Sequence, residues 1–290
     1  MWTIRRTFSA SSRDSKGIFL ERFDHNTQYF LLIFARMVGM VFVAPVFSAD
    51  SIPYRTRMMI AFLLSAVLYP VSVNYLPPLP SGPVSFIGEA TAQAALGIII
   101  GFLIQMIFAA FQIAGELFSV QSGLSFAEVL DPASQTTMPI IGTLKSSIGL
   151  LLFLSLNFPV DGITAPAYLH MVRALAFSIK AAPTMMLDMT TLGGLLSTVD
   201  QTMGVLFVTA LKIGIPAAGI LFIATVALGL IGRAAPQLNL MNMGVHINII
   251  LGLTLLLVLS PIYIPIMGGA FQSMYDIIGT MLRDWPGKHS

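Results

Sequence analysis

Long apolar runs separated by short, proline-marked polar stretches set the pattern of this chain. Six runs stand out, at 29–47, 58–76, 87–118, 140–156, 199–231 and 245–267. A helix needs about 20 apolar residues to cross a bilayer core. The first, second, fourth and sixth runs therefore fit one crossing each, whereas the third and fifth are too long for a single untilted one. Breakers fall between the runs: Pro53, then Pro77, Pro78, Pro80 and Pro83, then Pro132 and Pro139, then Pro236. Residues 157–198 read differently, because Asp161, Pro166, Arg173, Lys180, Pro183 and Asp188 interrupt any lipid-spanning stretch. Within it, His170, Arg173, Phe177 and Lys180 predict a short amphipathic helix at an interface. The expected architecture is an all-α membrane protein of about six hydrophobic helices or helical hairpins. A polar basic tail is expected over 1–25, one helical domain over 26–275 and a polar C-terminal tail over 276–290.

Composition supports this class. Of 290 residues, 56% are hydrophobic and only 10% charged, against about 25% charged in soluble domains; the mean hydropathy is +0.85. Lipid or a large partner must cover that surface. The net charge of +2 comes without a basic stripe interleaved with aromatics, which argues against nucleic-acid binding. Cysteine is absent, which excludes disulfides, thiol catalysis and Cys-based metal sites. Arg5, Arg6, Arg13, Lys16 and Arg22 make the N-terminal tail basic. No apolar run leads from it to a cleavage site, so it reads as a solvated cytoplasmic tail rather than a targeting presequence. An even helix count keeps both ends on one side, yet Arg55 and Arg57 in the first connection vote for the opposite orientation.

Catalytic patterns are missing. His25, His170, His246 and His289 are far apart, and neither a GxSxG element nor a phosphate-binding glycine loop occurs. No cofactor is expected, and an enzyme is not. His246 beside Asn248 is either a proton relay or, as is usual for a lone histidine near a helix start, a hydrogen-bonded structural residue.

The third run carries more information. Wound as a helix, it gathers Gly97, Gly101, Gln105, Gln112 and Glu116 within about 100° of arc. Ile98, Ile99, Phe102, Leu103, Met106 and Ile107 fall on the other side. Glycines four apart let another helix approach closely. Such a face packs either against this chain's own helices or against other subunits and a pore. Beyond it, the connection from about Leu117 through Gln121, Gly123, Leu124, Ser125, Phe126, Glu128, Asp131 and Pro132 to Pro139 exceeds 20 residues, a length usually functional. It is too apolar for a disordered linker and carries no base. It either folds back as a scaffold or occludes an opening. A second polar patch, with Arg233, Pro236, Gln237 and Asn239, follows the fifth run; its repeated amides suit an ordered inter-helix contact better than a solvated loop, with a plain connecting turn as the alternative.

At these residues the sequence resembles the FliR/SpaR/YscT family of type III secretion export-gate proteins. The resemblance rests on 36–45, Ile52-Pro53, 97–101, Ala114-Gly115-Glu116, Gln121-Ser122-Gly123-Leu124-Ser125-Phe126, Asp131-Pro132 and Arg233-Ala234-Ala235-Pro236-Gln237-Leu238-Asn239. It covers about 28–275, and the Ala-Pro-Gln-Leu-Asn run is similar to the flagellar branch. The resemblance implies a subunit built like a fusion of FliP and FliQ, assembling with FliP and FliQ homologues into an export channel in the bacterial inner membrane. It also implies neighbours of the FlhA and FlhB type at the flagellar basal body, contact with membrane lipid, and unfolded proteins as cargo. By motif match, the plug of that channel falls on Gly115 to Pro132, and its helices stand partly above the membrane plane. The alternatives are a virulence-type homologue or a secondary transporter with a small-solute site near Glu116; the latter expects inverted repeats, and no internal repeat is seen.

Overall fold

The computed structural model of the protein describes residues 25–48, 52–76, 78–79, 82–122, 154, 157–160, 162–183, 189–234 and 240–285. Helix α1 spans His25–Val43. It is followed by α2, Pro45–Ser48, and by α3, Tyr54–Ser72, which ends in a 3-10 turn at Val73–Tyr75. Next come α4, Pro83–Ser122, a hairpin of β1, Asn157–Val160, and β2, Ile163–Pro166, then α5, Ala167–Ala181, α6, Met189–Ala234, and α7, Leu240–Arg283. Five of these helices are long and apolar enough to cross a membrane. The chain is an all-α membrane protein with one small antiparallel hairpin.

Most differences from the sequence expectation lie at helix ends. Helix α6 begins ten residues before position 199 because its polar start is self-satisfied: the Thr198 hydroxyl donates to the Gly194 carbonyl at 2.8 Å and that of Thr202 to the Thr198 carbonyl at 2.8 Å. Helix α7 runs past 267 to Arg283, into the stretch read as a polar tail. Met274, Ile278 and Met281 are buried along it at helical spacing, and Trp285 is buried just past its end. The hairpin at 157–166 had no counterpart in the sequence reading; Gly162, at φ +77°, makes its turn. Helix α5 falls where an amphipathic helix was predicted, with His170 inside and Arg173, Phe177 and Lys180 outside. The 140–156 run lies outside the described residues apart from Leu154.

The chain divides into two compact units. One takes the described residues of Met1–Phe102, Leu175–Leu192 and Leu282–Ser290. Here α1 and α3 run antiparallel, since Phe30 meets Tyr69 and Phe62 edge-on at 6.1 and 5.3 Å, and Phe42 meets Tyr54 at 5.4 Å. Arg57 closes their connection, its Nε donating to the Ile52 carbonyl at 3.1 Å and its Nη2 to that of Ser48 at 3.2 Å. At the far end of α3, Lys180 Nζ lies 5.2 Å from the centre of the Tyr75 ring.

The other unit takes Leu103–Ala174 and Gly193–Met281. Phe271 of α7 meets Phe108 and Phe111 of α4 edge-on, each at a centroid distance of 5.5 Å. Tyr275 donates its hydroxyl to the Ala167 carbonyl at 2.9 Å and lies against the His170 ring, which holds the start of α5 to α7.

Candidate functional site

The best-defined polar centre is built on Arg36. Its side chain is fully buried within the apolar part of α1, where an unpaired charge would be prohibitive. Each end of the guanidinium is occupied. Nε donates to Gln93 Oε1 at 2.8 Å, Nη1 to Ser178 Oγ at 3.2 Å, and Nη2 to the Ala182 carbonyl at 2.7 Å. Gln93 extends the network, its Nε2 donating to Glu89 Oε1 at 2.8 Å and to the Pro183 carbonyl at 2.6 Å. The centre therefore ties α1, α4 and the end of α5 together. Its chemistry is structural: an always-charged fork that satisfies a helix C-terminus. The sequence reading quoted Arg36 within a motif but missed Gln93 and Ser178. The available signal was a lone arginine inside an apolar run.

One turn along, α1 and α4 touch backbone to backbone. A methyl group on Gly97 would overlap the Arg36 carbonyl oxygen, and one on Gly39 would overlap that of Ala94. A methyl on Gly101 would lie 3.0 Å from the Met40 carbonyl oxygen. Of the two packings open to the glycine face, Gly97 and Gly101 take the one against this chain's own α1, because only hydrogen fits there. Further along α4 the face changes character. Gln105 is half-buried, and its Oε1 is enclosed without a hydrogen-bond partner. Gln112 and Glu116 are exposed, with Ile113, Leu117 and Val120 beside them.

The end of α4 is anchored. Phe118 is buried with Ala217 and Leu221 of α6, and Leu251, Leu255, Leu256 and Leu259 of α7 close over it. A methyl on Gly252 would lie 3.0 Å from Phe118 Cζ and 3.3 Å from Ser122 Cβ. Ser122 is buried and donates to the Ser119 carbonyl at 3.1 Å. The helix thus continues four residues beyond the predicted end at 118, because this contact stabilises its last turn. Gly115, Glu116 and Gln121, which the resemblance assigns to the plug, stand on the helical backbone of α4. Gly123, Leu124, Ser125, Phe126, Asp131 and Pro132 lie outside the described residues.

Helices α6 and α7 are clasped by polar atoms near their connection. Asn248 Nδ2 donates to Thr225 Oγ1 at 3.0 Å, and Thr225 Oγ1 donates to the Leu221 carbonyl at 2.9 Å. The amide of Asn248 is thus engaged across the helix pair, while His246, its neighbour in sequence, is exposed. Arg233 is exposed in the last turn of α6. Pro236, Gln237 and Asn239 lie outside the described residues. Among the described residues, no group of three His, Asp or Glu side chains is placed to hold a metal ion.

Comparison with known proteins fits this arrangement. Residues 27–274 match the family described as bacterial export proteins, family 1. The chain is 28% identical to the flagellar biosynthetic protein FliR of Escherichia coli K12, over 87% of this chain and 91% of that protein. It is 26% identical to the protein of that name from Bacillus subtilis 168, over 87% and 94% of the two chains. It is likewise 26% identical to that from Aquifex aeolicus VF5, over 88% and 94%. A match that runs from the first residues of α1 to the buried Met274 of α7 takes in both compact units, and on it this chain belongs to family 1 of the bacterial export proteins, the FliR family.

Proposed function

We propose that this FliR-family protein is a subunit of the flagellar type III protein-export gate in the bacterial inner membrane, at the basal body. It assembles there with FliP and FliQ homologues, next to FlhA and FlhB homologues, and unfolded proteins pass through the complex. It has no enzymatic activity of its own in this reading. The flagellar branch is preferred to the virulence branch because the relatives named above are flagellar proteins. A transporter site near Glu116 is disfavoured because that carboxylate is exposed on α4 rather than enclosed.

The observation that carries the plug assignment is the anchored end of α4. Phe118 and Ser122 are fixed against α6 and α7, so the apolar segment from Gly123 to Pro132 leaves from a rigid base. Burying Leu124 or Phe126 in a dry constriction is worth about 1.5–3 kcal/mol each, enough to hold a segment shut and low enough for arriving cargo to displace it. The test removes 123–127 and leaves the buried Ser119 and Ser122 in place. The co-expressed complex should assemble and conduct ions in a planar bilayer, where the wild type is closed. Phe126→Ala should leak less, and Ser125→Ala should be nearly silent. A deletion complex that assembles fully and conducts no more than wild type removes the plug assignment.

A further inference from the structure

Between α6 and α7 lies an open groove of about 660 Å³, lined on one side by Gln201, Gly204 and Lys212 and on the other by Pro265, Gly269 and Ser273. Lys212 is the feature that needs explaining. It sits near the middle of the 46-residue α6 and is exposed. It has no hydrogen-bond or ion-pair partner among the described residues. Exposed apolar side chains flank it on both sides, with Met203, Phe207 and Leu211 before it and Ile215, Ile220 and Phe222 after it.

Two placements of the membrane are open to α6. If the bilayer covers the middle of the helix, the ammonium stands in hydrocarbon, which is tolerated only with a counter-charge or water beside it. If instead the bilayer covers the uncharged stretch after Lys212, then Met203, Phe207 and Leu211 stand outside lipid and need protein to cover them. The second placement requires a protein neighbour on this side of α6, and in the first a carboxylate on such a neighbour supplies the counter-charge. The walls of the groove suit a helix, because a methyl on Gly204 or Gly269 would meet nothing within 4 Å. Both backbones are therefore open to close approach. The most apolar stretches of α6 and α7 are each only 17% buried within the chain, against 61% for α4, so this pair is the part left for others to cover.

We infer that this groove receives an apolar helix of a different subunit, bearing one Asp or Glu whose carboxylate pairs with Lys212. The inference rests on the gate reading above and adds the chemistry of one partner contact. The absence of cysteine makes the test clean. Gly204→Cys provides a single thiol in the groove, to be labelled with a photoactivatable maleimide in the complex isolated from its own membranes. The cross-link should fall in an apolar segment of another subunit that contains a carboxylate. Lys212→Glu should lower the recovered complex by at least about tenfold, as expected for breaking a desolvated pair. Changing the identified carboxylate to Lys in the Lys212→Glu background should restore it, which a merely misfolded variant could not do. Cross-links only to lipid, to a second copy of this chain or to a segment without a carboxylate overturn the inference, as does wild-type recovery of both Lys212→Glu and Lys212→Met. A wild-type chain that leaves the membrane folded and alone removes the gate reading itself, and this inference with it.

Discussion

Arg36→Ala is the sharpest test of how the first compact unit holds together. The substitution removes three donors from a fully buried site. Ser178 Oγ keeps a partner, because it still donates to the Leu175 carbonyl at 2.7 Å. Gln93 Oε1 and the Ala182 carbonyl lose theirs. An enclosed acceptor left unmade costs about 1–3 kcal/mol, so the two together give about 2–6 kcal/mol, with the cavity left by the deleted stem adding to it. Arg36→Lys should recover only part, since one ammonium cannot reach acceptors arranged around a planar fork. The assay is unfolding of the purified complex in detergent by graded SDS, followed by proteolysis at sites near α1 and α5. Arg36→Ala should shift the midpoint strongly and expose those sites first. Gln93→Ala should give a similar pattern, and the double variant should cost less than the sum, because both act on one network. An Arg36→Ala midpoint equal to wild type would refute the reasoning and mean that the guanidinium contributes nothing net to the fold.

The remaining predictions follow from packing and from the partner reading. Gly97→Ala should disrupt the α1–α4 contact by more than the 1–3 kcal/mol typical of overpacking (about that range), because its methyl meets backbone, and accumulation of the chain should fall. Phe118→Ala should cost about 3–5 kcal/mol and loosen the segment that follows α4, read as faster proteolysis beyond Ser122. Gln237→Leu with Asn239→Leu should reduce assembly more than expression; normal assembly by native gel and pull-down would reduce that patch to a plain turn. Expressed alone, the chain should aggregate or be degraded, and co-expression with FliP and FliQ homologues should rescue it. A monodisperse folded monomer in detergent counts against the gate.

The class of fold was legible because hydrophobic runs of this length admit few alternatives, and prolines at 53 and 83 marked real helix starts. Helix ends were less legible. Ser119 and Ser122 read as loop residues in one dimension, yet their hydroxyls turn inward and α4 continues through them. The polar stretch before 199 failed for the same reason, because threonines bonded to their own helix do not break it. For the candidate site, helical spacing placed Gly97, Gly101, Gln105, Gln112 and Glu116 on one helix but did not reveal which half another helix covers. That depended on Gly39, a residue 58 positions from Gly97 in sequence. Gln93 and Ser178 were invisible as partners of Arg36, since pairs separated by 57 and 142 residues leave no periodic trace.

Helices α6 and α7 carry a consequence for the height of the assembly. Leu192 and Leu230 of α6 are both exposed and stand 38 positions apart, roughly 57 Å of straight helix at 1.5 Å per residue. The hydrocarbon layer is about 30 Å thick, so a tilt near 60° would be needed to hold both in it, beyond the usual range of about 0–40°. The greasy surface is thus taller than the solvent that would dissolve it. Even at a tilt of about 40° the layer takes only about 39 Å of the helix, so something other than lipid must line at least roughly 18 Å of α6, which makes the surplus a ruler: it gives the least reach of the neighbour before that neighbour is seen.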